Sequence, residues 1–420
     1  MIRIVSHGPD PAVRRLTLTL YGYAFLSDLV LLYPLYVVFF ADTGLSVGQI
    51  SSLFVIWSAA GILVEVPSGA WADVVSRRLL LGLAPLVTAG GYALWVLAPS
   101  YPAFAFGFLL WGAGGALVSG ALEALVWTEL DRLGAAGRYA RVLGRARTAG
   151  VLGVVLSGVL AGPVLAAGGY PAIGAASVLA CLLATAVAAR FPEHRRCTAA
   201  SVGPPSGPDD DDGDGGWWET LRAGVTQVRT HPPVRGAVLL VAVVAADWGA
   251  LDEFTPLLAL DTGVGAQVVP LLLLLLWAGV TVGGLLTPVG ERLGGRGYAG
   301  LLTVVAVALA GGALLRHPAG FVLLAVAFGA AQLATVLADA RLQARITGSN
   351  RATVTSLAGM ATDVLIIVTY GAYGLVATAA GNAVAFAVTA GPYLIVALAL
   401  LRRRRRPAAV TTGVAARGRC

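Results

Sequence analysis

Long apolar runs constrain this chain more than any other feature. Residues 16–41 and 351–378 each hold few charges over more than 20 residues, enough to cross the ~30 Å hydrocarbon core of a bilayer. Ten further runs of the same character lie at 46–72, 79–98, 103–130, 139–166, 171–190, 235–260, 267–289, 298–315, 319–345 and 382–401. Composition agrees: 57% of the residues are hydrophobic and 12% are charged, whereas soluble domains carry about 25% charged residues. Most runs lack a polar face, so a soluble helical bundle does not fit. The expectation is an all-α integral membrane protein with twelve transmembrane helices.

The charges report topology. All 29 basic residues are Arg. Loops at 42–45, 99–102, 167–170, 261–266 and 379–381 contain none, and only Arg316 falls on that side. The opposite loops carry Arg77, Arg78, Arg132, Arg138, Arg195, Arg196, Arg222, Arg292, Arg296, Arg345, Arg351 and the run Arg402 to Arg406. The positive-inside rule then puts both termini in the cytoplasm, with the protein multi-pass in the cell membrane. A net charge of +7 distributed in this way points to the lipid bilayer as partner and not to nucleic acid. The first apolar run exceeds a signal-peptide core and follows Arg3, Pro9, Pro11, Arg14 and Arg15, so it reads as a retained span. Cys181, Cys197 and Cys420 are too scattered for a disulfide framework, and the four histidines lie in loops or termini. No metal, cofactor or nucleophile is expected, and a monomer is.

One long interruption divides the spans six and six. Residues 199–216 are rich in Gly, Pro, Ser and Asp, including Asp209 to Asp212, and read as linker. After it, Trp218, Leu221, Val225 and Val228 share a helical face, as expected of a short helix on the membrane surface. The predicted units are a six-helix bundle over 1–190, a cytoplasmic linker over 191–234, a second bundle over 235–401 and a basic tail over 402–420. The halves echo each other: Asp28 precedes Asp247 by 219 residues, Asp73 precedes Glu291 by 218, and Glu123 precedes Asp339 by 216. Three acids at nearly one offset indicate a duplicated six-helix unit.

The most charged turn between two spans is 67–82, PSGAWADVVSRRLLLG. Its spacing, Gly69-x3-Asp73-x3-Arg77-Arg78, resembles the loop after the second helix of the major facilitator superfamily of secondary transporters. Positions 69, 72, 73, 77 and 78 match that pattern, while Trp71, Val74 and Ser76 depart from it. Gly158-x3-Gly162-Pro163 in span 5 is similar to the signature of the superfamily's proton-antiporter, drug-exporter-like branch, although the closing pair Gly168-Gly169 comes two residues late. Ser119 to Ala124 and Asn350 to Thr353 also look like such exporters. The resemblance implies a major facilitator fold of two six-helix pseudo-repeats. It implies close helix approach at Gly69, Gly158 and Gly162. It also implies a gating latch, closed in the outward-facing state and released in the other, in which Asp73 faces a helix N-terminus and Arg77 and Arg78 reach Glu129 and Asp131.

A charged side chain at mid-membrane costs about 2.5–3.5 kcal/mol, so such groups face a cavity or a partner. The candidates for proton or substrate binding are Asp28, Asp247, Asp252, Glu253 and Asp363, with Glu123 and Asp339 nearer the cytoplasm. Tyr21, Phe25, Tyr33, Trp111 and Trp248 are candidate cavity aromatics able to accept an apolar cation. The functional expectation is alternating-access, proton-coupled export of a small, partly apolar, drug-like compound, with Asp28 alternating between protonated and ionised forms. A proton-coupled nutrient importer is the first alternative. A membrane enzyme lacks its side-chain cluster, and a non-transporting sensor lacks a folded soluble domain.

Overall fold

A computed structural model describes residues 11–119, 121–194, 222, 226, 228–346 and 351–403, with backbone only for 64–74, 351, 352 and 403. In a bilayer interior every backbone N–H and C=O must find its partner within the protein. Among the described residues the chain meets that demand entirely with helices. Eight stretches are long and apolar enough to cross a membrane, and one of them, Ala136–Ala188, is long enough to do so twice. That helix is divided at Gly169, whose φ of 64° a side chain would oppose; it supplies spans 5 and 6. Spans 2 and 8 contain the shorter apolar helices Val47–Leu63 and Val269–Leu285, and span 1 is broken. The twelve-helix membrane architecture follows. The expected surface helix at 218–228 lies mostly outside the described residues.

Span 1 consists of Pro11–Asp28 and Tyr36–Asp42, joined by a tight turn containing Pro34. The break interrupts the helical ladder in mid-membrane; the Tyr33 amide still bonds the Val30 carbonyl at 3.1 Å, and two serines add to the turn. Ser157 donates to the Val30 carbonyl at 2.6 Å, and the Leu32 amide donates to Ser177 at 3.0 Å. Span 7 breaks in the same place: Pro232–Asp252 is followed by Thr255–Asp261, 219 residues after Tyr36–Asp42. The outer ends are anchored alike as well. Tyr170 donates to Asp42 at 2.5 Å, and Asn382 donates to Asp261 at 2.9 Å. The pseudo-repeat is therefore carried by helix breaks and their anchors as well as by charge spacing.

The halves meet near the Arg-poor end. Gly48 and Ser51 of span 2 lie against Thr378 and Gly374 of span 11. Phe54 packs edge-on to Phe254 and tilted to Tyr370, each at 5.2 Å between ring centroids. Span 5 approaches span 8 where Gly158 faces Leu274 and Gly162 faces the Gln267 carbonyl, with Pro163 in the next position. A Cβ at Gly162 would run into that carbonyl.

Candidate functional site

Between the halves lies a cavity of about 500 Å³. Span 2 contributes Trp57, Ser58, Gly61 and Ile62; span 11 contributes Asp363, Ile366 and Tyr370. These spacings place each set along one face of its helix. Trp111 and small residues down to Ser119 supply span 4's wall, and Gly249 and Glu253 supply span 7's. Trp57 stacks on Trp111 at 4.8 Å, and Tyr33 stacks on Trp111 at 5.4 Å. Phe54, Phe254 and Tyr370 close the Arg-poor end. There the Tyr36 hydroxyl donates to the Glu253 carboxylate. One cavity-lining acid of the second half is thus held by a tyrosine of the first.

Two other acids occupy repeat-related positions. Asp28 in span 1 lies against Gly150 of span 5, where any side chain would collide with its carboxylate. Asp247 in span 7 accepts from Thr369 of span 11 at 3.4 Å. Gly150 and Thr369 stand 219 residues apart, as the two acids do. Asp247 is only 7% exposed, and its Oδ2 finds no hydrogen-bond partner among the described residues. Neither Asp28 nor Asp247 is among the residues that line the cavity. Asp252 faces Trp277 of span 8.

The remaining expected residues divide. Trp111 lines the cavity and Tyr33 backs it, whereas Trp248 does not line it. The Trp248 indole N–H needs an acceptor and finds Thr335 at 3.1 Å, which turns the ring into the second half; Gly249 and Glu253 present the cavity face instead. Tyr21 borders a separate groove near Arg141 and Arg145, and Phe25 lies where its carbonyl meets Gly153. Glu123 and Asp339 are exposed. Trp57, Ile366 and Tyr370 were not singled out by sequence reasoning. Their helical spacing was visible, but a lipid-facing stripe carries the same apolar signal.

At the Arg-rich end, with the opposite end closed, Arg77 and Glu129 have other partners than each other. Arg77 donates to the Ala124 carbonyl at 3.2 Å and to Thr128 at 3.0 Å, not to Glu129. Glu129 is buried and taken by Arg132 and by His194, each at 3.1 Å. Asp131 is exposed, and no contact with Arg77 or Arg78 is seen. The physical reason is the chain after span 6: Phe191 packs edge-on to Tyr23, and Glu193 accepts from the Arg77 amide at 2.8 Å and from the Ser76 hydroxyl. The start of the linker thus bonds both sides, Glu193 to Ser76 and Arg77 and the His194 amide to Glu129. The backbone at Gly69 and Asp73 is helical; their side chains lie outside the description. Among the described residues no group of three His, Cys, Asp or Glu is placed to hold a metal ion.

In sequence, residues 18–319 match the family model described as Major Facilitator Superfamily. No curated protein matches the chain. In structure it resembles the nucleoside transporter NupG, with TM-score 0.73 at 12% identity, covering 95% of this chain and 100% of that one. A bacterial homolog of the human lysosomal transporter Spinster, in an inward-facing and unoccupied conformation, aligns with TM-score 0.67 at 16% identity over 96% and 100% of the chains. A D-xylose-proton symporter aligns with TM-score 0.60 at 16% identity over 92% and 96%. At these identities the neighbours speak to the fold alone. The family model covers most of the chain, and the twelve spans, paired helix breaks and interdomain cavity agree with it: this protein belongs to the Major Facilitator Superfamily.

Proposed function

We propose that the chain is a secondary active transporter that exports a small, partly apolar, cationic compound in exchange for protons. The observation that carries this reading is the cavity between the halves. Its size falls in the range that small-molecule sites occupy. Trp57 and Tyr370 supply aromatic surface that attracts a desolvated cation, and Trp111, stacked on Trp57 and Tyr33, braces it. Glu253 and Asp363 supply negative charge, and among the described residues no Arg lines the cavity.

Competition for one carboxylate gives coupling. A cation seated beside ionised Glu253 and a proton on Glu253 exclude each other, so each releases the other when the cavity changes sides. The Tyr36 hydroxyl on Glu253 ties that exchange to the contact between halves. Asp28 and Asp247, outside the cavity lining, are second candidates for carrying the proton. With the Arg-rich face in the cytoplasm, the closed end faces outward and the cavity is poised to load from inside.

The test is uptake of a lipophilic phosphonium cation into everted membrane vesicles with an imposed proton gradient. Uptake that collapses with a protonophore and is lost in Glu253→Gln supports the proposal. Protonophore-sensitive uptake of a nucleoside or sugar by whole cells, with no cation movement, overturns it in favour of import.

A further inference from the structure

The Arg-rich end of span 1 carries a pocket of a different kind. It encloses about 470 Å³ and is lined by Pro11, Arg14, Arg15, Leu18 and Thr19 of span 1 and by Arg190 at the end of span 6. Three arginines thus line one concavity, with no acid in its wall among the described residues. The ion pairs among the described residues are Glu129 with Arg132 and Glu129 with His194, so no described acid neutralises Arg14, Arg15 or Arg190. A second groove of about 340 Å³ shares Arg14 and adds Arg138, Arg141 and Arg145 of span 5, which raises the local positive charge further.

Topology alone asks for arginines near this face; it does not ask that they converge on a hollow. Arginine's planar fork matches the oxygens of a phosphate, and basic pockets between membrane helices suit anionic headgroups. Leu18 is 59% exposed and lies one turn along span 1 from Arg14 and Arg15. It offers apolar surface beside the charges, which a free anion would not use. We propose that this pocket binds the phosphodiester headgroup of an anionic phospholipid, with Arg14, Arg15 and Arg190 on the phosphate and Leu18 against the acyl chain. The site stands apart from the cavity between the halves and holds whichever compound that cavity carries.

The test is native mass spectrometry of the full chain, purified in an uncharged detergent and titrated with phosphatidylglycerol, phosphatidylcholine or inorganic phosphate. Wild type is expected to retain phosphatidylglycerol in preference to phosphatidylcholine. The triple variant Arg14→Gln/Arg15→Gln/Arg190→Gln is expected to bind it at least about tenfold more weakly, since each arginine near a charged headgroup contributes comparably. Removing two arginines elsewhere on this face, Arg292→Gln/Arg296→Gln, leaves retention unchanged. If the triple variant does not fold, Arg190→Gln alone, at an exposed helix end, is expected to weaken retention severalfold. Equal retention by wild type and variant, an equal loss in the Arg292/Arg296 control, or displacement of the lipid by millimolar inorganic phosphate each overturns the proposal.

Discussion

Three carboxylates on spans 1 and 7 differ in what surrounds them, and that separates their roles. Glu253 faces the cavity and is held by Tyr36 of the other half. Glu253→Gln preserves shape and hydrogen bonding but removes the charge. Under the proposed mechanism it loses uphill, gradient-driven transport by at least about tenfold while still equilibrating substrate across the membrane, which separate uphill and counterflow assays would distinguish. Normal proton-driven transport in Asp28→Asn would remove Asp28 from the coupling path. Asp247 rests on Thr369 alone among described donors, so Thr369→Val leaves a buried carboxylate unsatisfied at a cost of about 1–3 kcal/mol. Thermal unfolding in detergent reads that cost. None of these distinctions was legible in sequence, where Asp28, Asp247 and Glu253 are all acids inside apolar runs.

At the scale of the element, the informative feature is the broken helix. Pro34 marks where span 1 cannot continue, whereas in sequence 16–41 reads as one apolar segment straight through it. The break is tolerable because Ser157 and Ser177 reach from spans 5 and 6 to the Val30 carbonyl and Leu32 amide. Ser177→Ala is expected to destabilise by about 1–3 kcal/mol by orphaning the buried Leu32 amide, and Ser157→Ala by only about 1 kcal/mol, because the Val30 carbonyl keeps the Tyr33 amide at 3.1 Å. The two losses should add, because the serines serve different groups, and denaturation of the single and double variants checks this. The serines themselves were unremarkable in sequence, as a polar residue on a glycine-rich membrane helix has many ordinary uses. Their partners are more than 120 residues away, and no local pattern announces them.

For the whole molecule, the question is whether the Arg-poor end opens. Gly48 and Thr378 face each other there across spans 2 and 11, with 3.5 Å from a Cβ built on Gly48 to the threonine hydroxyl. In a background free of Cys181, Cys197 and Cys420, the pair Gly48→Cys/Thr378→Cys is expected to form a disulfide that abolishes transport, with activity restored by a reductant. A cross-linked protein that transports at the normal rate would show that this end need not separate. By itself the sequence determined the membrane environment, the number of spans and the duplication, and its arginine bias gives the orientation expected under the positive-inside rule. Those follow from the length of apolar runs, the side on which arginine accumulates and the spacing of acids, all of which are properties read along one dimension. Tertiary structure alone decided which face of each helix meets the cavity, because lipid and a substrate pocket both accept Trp57, Ile366 and Tyr370. It also decided that Glu129 belongs to Arg132 and His194 instead of Arg77, because the chain after span 6 folds back and bonds to both.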